Sequence, residues 1–116
     1  MANGLPKEAL GRVKQALALT DTQMAAALGM SGRSLSRVRR AGRRALGLIP
    51  SDRLYRLARI FALANDVLED DDSAREWLHT KQVGLGDRVP LELLNTEAGA
   101  RTVEDLLGRI EFGVLS

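Results

Sequence analysis

Six arginines fall between positions 33 and 44: Arg33, Arg37, Arg39, Arg40, Arg43 and Arg44. Guanidinium groups at this density suit a polyanion, because each can neutralise a phosphate and can also read guanine through two hydrogen bonds. Ser34 and Ser36 stand among them and can serve a base edge or a phosphate. Other reactive side chains are scarce. His79 is the only histidine and cysteine is absent, which excludes disulfides and thiolate chemistry. The serines have no general base other than His79, and no glycine-rich phosphate loop follows a strand. Asp70, Asp71 and Asp72 are consecutive, so their carboxylates point in different directions; the run reads as a helix start and not as a metal site. The expectation is a protein that is no enzyme and needs no cofactor or metal.

The arginines need an element to present them, and the residues just before supply one. Thr20-Asp21-Thr22-Gln23 has the pattern of a capping box, opening a short helix that runs to Leu28 and stops at Gly29. Ser31 caps a second helix over about 32–41, on which Leu35 and Val38 are spaced to pack back onto the first. Ala25, four before Gly29, is small where two helices must approach closely. This is a helix-turn-helix pattern, whose second helix places its early residues at base edges in the major groove. The residues expected at base edges are Gly32, Arg33, Ser34, Ser36 and Arg37, with Arg39, Arg40, Arg43 and Arg44 behind them on phosphates. The plainer reading is a solvated basic helix, or a positive face for an acidic protein. Arg53, Arg56 and Arg59 have a weaker claim, since Asp52 or the acidic run could pair with them.

Helical spacing dominates the rest of the chain. Ala9, Leu10, Val13, Ala16 and Leu17 predict a first helix from about Pro6 to Leu19, and residues 42–50 read as a connector. Ser51 is expected to cap the longest helix, reaching about Leu68, with Leu54, Leu57, Ala58, Phe61, Leu63, Ala64 and Leu68 as its apolar face. A helix over about 73–80 carries Trp77, a large apolar side chain best used as a core anchor. A loop at 81–89 and a short helix at 90–94 follow. Asn95 is expected to cap a last helix reaching about Glu111, in which Gly99 permits close packing. The fold class is all-α.

With 45% hydrophobic and 28% charged residues, the 116-residue chain is that of a globular protein of one domain, or two small modules sharing a core. The net charge of +2 hides a division. Residues 1–60 hold 12 Lys and Arg against 3 acids, a charge of +9; residues 61–116 hold 5 against 12, a charge of −7. The halves therefore suit different partners, and 1–60 is expected to be a DNA-binding region and 61–116 a separate functional unit. No run reaches the roughly 18 apolar residues of a membrane span, and the first residues have no signal-peptide pattern, so a cytoplasmic location is expected.

Motifs in the second half resemble the toxin-binding domain of the Xre/MbcA/ParS antitoxins. They are Ala74-Arg75-Glu76-Trp77-Leu78, then Val89-Pro90-Leu91-Glu92-Leu93-Leu94-Asn95-Thr96. Gly99-Ala100-Arg101-Thr102-Val103 and a final Arg109-Ile110-Glu111-Phe112-Gly113-Val114 complete the series. The resemblance covers roughly residues 60–116, and the basic helix-turn-helix fits the same family. It implies a prokaryotic type II antitoxin encoded beside a RES-domain toxin, an ADP-ribosyltransferase-like protein that consumes NAD⁺ or modifies a protein. It further implies that the antitoxin covers the toxin's active site and represses its own operon on operator DNA, often as a homodimer or as a toxin–antitoxin assembly. Phe112, Val114 and Leu115 would then be apolar tail residues that enter the toxin cleft. Glu111 would mimic a substrate anion, within a contact segment of Arg109, Ile110, Glu111, Phe112, Gly113, Val114, Leu115 and Ser116. The tail could instead fold onto its own bundle or join two copies. The rival from another class is a free-standing transcriptional repressor whose second half only dimerises; a third is a phage-type adaptor that does not bind DNA.

Overall fold

A computed structural model of the chain describes residues 7–41 and 51–113. Six α-helices lie in this part: α1 (Lys7–Ala16), α2 (Asp21–Leu28), α3 (Gly32–Ala41), α4 (Ser51–Leu68), α5 (Asp71–His79) and α6 (Glu97–Glu111). Two 3-10 turns, Val83–Leu85 and Pro90–Leu93, connect α5 to α6. There is no strand among the described residues, only an isolated antiparallel bridge between Gln82 and Arg88. The all-α class is as expected. The connector expected at 42–50, with Arg43 and Arg44, lies outside the described residues.

Local chemistry explains most boundaries. α1 stops at Ala16, three residues before the expected end, because Ala18 turns left-handed at φ 54°. The Leu19 amide then donates to Lys14 O at 2.9 Å and the Ala18 amide to Gln15 O at 3.1 Å, closing the helix end. That reversal drops both Leu17 and Leu19 into the core. The capping box on α2 is present in both directions: the Gln23 amide donates to Thr20 Oγ1 at 3.0 Å and the Thr20 amide to Gln23 Oε1 at 2.9 Å. Gly29 ends α2 at φ 69°. Ser31 caps α3 by accepting from the Ser34 amide at 3.0 Å.

Several expectations need correction. Ser51 is the first residue inside α4. Ala58 is exposed, and Ile60 takes the buried place beside Leu54, Leu57 and Ala64. α5 begins at Asp71, because Asp70 Oδ2 accepts from the Ser73 amide at 2.8 Å, so the acidic run opens the helix two residues earlier. The short helix at 90–94 is a 3-10 turn. The cap of α6 is Thr96, whose Oγ1 accepts from the Gly99 amide at 3.0 Å; Asn95 is one residue too early to reach that donor. Trp77 is half-buried against the core and not sunk in it.

One hydrophobic core runs through every helix, from Leu10, Met24 and Leu35 through Leu57 and Ile60 to Leu78, Leu94 and Leu107. α4 is its spine and touches α1, α2, α5 and α6. Each fully buried leucine here contributes about 1.5–3 kcal/mol relative to exposure. Polar contacts add direction to this packing. Arg75 Nη1 donates to Ala16 O at 3.1 Å, and His79 Nε2 to Leu17 O at 2.7 Å. The two residues are four apart on α5, so one face of α5 satisfies the open carbonyls at the end of α1. A carbonyl can only accept, so this contact places a proton on Nε2 of His79.

Candidate functional site

α3 presents a row of cations. Arg33, Ser36, Arg37 and Arg40 are all exposed and recur at a spacing that keeps them on one face of the helix. On the opposite side Leu35 and Val38 are buried, fixing which way the row points. None of the three arginines makes an ion pair among the described residues. Arg39 lies off this face and is committed elsewhere: its Nη1 donates to Asp21 Oδ1 at 2.8 Å, and Lys14 Nζ stands 3.2 Å from the same oxygen. The Lys14 ammonium, with the Arg39 guanidinium, holds the Asp21 carboxyl below the usual carboxylate range. Arg39 therefore joins α3 to the start of α2. Ser34 is half-buried, and its hydroxyl accepts from Ser31 Oγ at 2.9 Å, so it belongs to the helix cap.

The arginines of α4 are structural. Arg53 Nη1 donates to Leu28 O at 3.0 Å, at the end of α2, where the missing side chain of Gly29 leaves room. A Cβ on Gly29 would lie 2.0 Å from that nitrogen. Arg56 is only 7% exposed; its Nε donates to Glu97 Oε1 at 3.1 Å and its Nη1 to Leu94 O at 3.2 Å. Arg59 Nη2 reaches Glu97 Oε2 at 3.2 Å, and its Nε lies 3.3 Å from Glu104 Oε2. Arg59, then Arg56, hold the Glu97 carboxyl below its ordinary range. Their partners are thus α2 and α6, and neither Asp52 nor the acidic run.

In the second half of the chain, α6 finishes in an exposed segment. Ile110 packs on the core while Arg109, Glu111 and Phe112 face solvent, Phe112 at 77% exposure. Gly113 turns left-handed at φ 68° as its amide donates to Ile110 O at 3.2 Å, so the chain leaves the helix axis there. Val114, Leu115 and Ser116 lie outside the described residues. The sequence missed Ile60, Arg75, His79 and Thr96 as positioning groups. Only Thr96 carried a local signal, a threonine three residues before Gly99.

The fold and these surfaces define a helix-turn-helix protein with a second helical unit built onto the same spine. A family model for the antitoxin Xre-like helix-turn-helix domain matches residues 2–59, and one for the antitoxin Xre/MbcA/ParS C-terminal toxin-binding domain matches residues 63–113. The chain belongs to the Xre/MbcA/ParS antitoxin family. It is 42% identical over 91 residues to the antitoxin Xre of Yersinia enterocolitica and 38% identical over 89 residues to that of Photorhabdus laumondii. Those matches take in 78% and 76% of this chain but 61% and 60% of the relatives, so the chain spans about three fifths of their length. A chain of the M. tuberculosis MbcT–MbcA toxin–antitoxin complex is similar in fold, with a TM-score of 0.68 at 22% identity over 94% of this chain and 96% of that one.

Proposed function

We propose that this chain neutralises a RES-domain toxin by covering its active site and represses its own operon by binding operator DNA. The observation that carries this reading is that one shared core presents two exposed surfaces with no ion-pair partner among the described residues: the α3 arginine row and the end of α6. The family's toxin-binding domain matches the half that holds the second surface. The reading divides the labour near residue 60, with 1–60 serving DNA and 61–116 the toxin, although α4 structurally serves both.

On DNA, α3 enters the major groove with Arg33 and Arg37 on base edges and Arg40 on a phosphate, and Ser36 between them. A homodimer would place two such helices on successive half-sites. At the toxin, Phe112 enters the cleft and Glu111 offers a carboxylate to cationic groups that otherwise bind the phosphates of NAD⁺. Ile110, held in the core, fixes where this segment starts.

The test is the NAD⁺ content of cells expressing the toxin encoded by the adjacent reading frame, alone and with this chain. NAD⁺ should collapse alone and recover with the chain. Arg33→Ala with Arg37→Ala should abolish operator binding and leave the recovery intact, whereas Glu111→Arg should do the reverse. An adjacent product harmless to both NAD⁺ and growth would favour a free-standing repressor.

A further inference from the structure

Three large apolar side chains are strongly exposed among the described residues: Tyr55, Val83 and Phe112. Only Val83 and Phe112 fall in the part matched to a toxin-binding domain. Val83 is 87% exposed and tops the 3-10 turn Val83–Leu85.

That turn is held from several sides. Leu85 is 2% exposed and pins the turn from beneath. The Gln82 amide donates to Arg88 O at 3.0 Å, Arg88 Nε donates to Leu85 O at 2.9 Å, and Gln82 Nε2 donates to Trp77 O at 3.0 Å. Gly86 and Asp87 are both left-handed, at φ 70° and 62°, which closes the loop tightly. Gly84 lies against α6: a Cβ there would stand 2.7 Å from Leu106 Cδ1. Leu106 precedes Phe112 by six residues, an axial rise of about 9 Å. The turn therefore packs on the C-terminal half of α6, the helix that Phe112 caps.

An exposed apolar side chain on a preformed loop loses little conformational freedom when it is covered, which is what a binding anchor requires. We infer that Val83 and its turn form a second anchor for the toxin, seated in an apolar recess separate from the cleft that takes Phe112. The inference rests on the toxin-binding reading, and adds to it a contact far from the tail in sequence. Gly84 serves this anchor by letting the turn lie flat on Leu106.

The full chain and its Val83→Asp and Phe112→Asp variants are titrated calorimetrically into the toxin of the adjacent reading frame. Val83→Asp should weaken binding at least tenfold, about 1.4 kcal/mol, with unchanged helix content and melting. In the wild-type complex the amides of residues 83–86 should exchange more slowly than in the free chain; this holds the test open even if Val83→Asp folds poorly. Wild-type affinity in Val83→Asp with loss in Phe112→Asp overturns the second anchor and keeps the tail. The opposite pattern keeps the anchor and overturns the tail. Absence of binding by the wild type overturns both. A self-association of the free chain that Val83→Asp abolishes, with toxin affinity retained, assigns the patch to a second copy and overturns the inference.

Discussion

Arg56 lies 7% exposed between α4 and α6, while Arg33, in the same basic half, stands in solvent. The two demand different things of a substitution. Arg56→Ala removes the hydrogen bonds to Glu97 and Leu94 O and leaves a gap where the alkyl stem packed. Chemical denaturation should register a loss of about 2 kcal/mol, since charged hydrogen bonds at partly buried sites carry that magnitude. Arg33→Ala should stay within about 0.5 kcal/mol of wild type, as exposed substitutions do. Equal losses would mean that Arg56 does not hold α4 to α6. Composition marks both as members of one basic cluster. Only burial sorts the arginines that build the spine, Arg53, Arg56 and Arg59, from Arg33, Arg37 and Arg40, which have no partner among the described residues.

At the scale of the element, caps and turn residues were legible because they act within four positions of themselves. The Thr20–Gln23 box, the Gly29 stop and the whole of α3 are local patterns. Asn95 and Thr96 are a closer contest, since both residue types cap well. The contest is decided by the 3-10 turn at Pro90–Leu93, which sets where α6 can begin. Gly99 tightens that choice: a Cβ there would lie 1.9 Å from Leu93 O, so the glycine permits close approach to the turn's backbone. Thr96→Ala should cost about 1 kcal/mol in thermal melting, and Asn95→Ala should stay within about 0.5 kcal/mol. The reverse order would return the cap to Asn95. The early end of α1 shows the opposite limit. Ala18 in a left-handed conformation carries no sequence signal, and the burial of Leu17 and Leu19 on either side holds it there.

For the whole molecule, carboxylates tie α2 to α1 and α3, and α6 to α4. Asp21 and Glu97 are both held below their ordinary pKa by the cations facing them. A group depressed in the folded state stabilises it above its unfolded pKa, and that contribution is lost as pH falls through the folded value. Stability should therefore be level near neutrality and decline below about pH 4–5, where unfolded carboxylates begin to titrate. Glu97→Gln should be less stable than wild type at pH 7, and the gap should narrow as pH falls towards 3. Urea midpoints measured across that range provide the check; a gap constant with pH would detach Glu97 from Arg56 and Arg59.

The amino-acid sequence by itself determined the helical class, all six helices to within three residues at either end, and the arginine-bearing face of α3. These depend on spacing and capping over a turn or two. It also contained the motif series of the family. Only the tertiary structure decided that α4 is a spine common to both halves, that Arg75 and His79 close the end of α1, and that Ser34 and Arg39 are committed to internal contacts. It also decided that Val83 stands exposed on a pinned turn. Those outcomes join residues up to 62 positions apart, and which pairs meet is fixed by how one shared apolar core closes, a balance no local pattern contains.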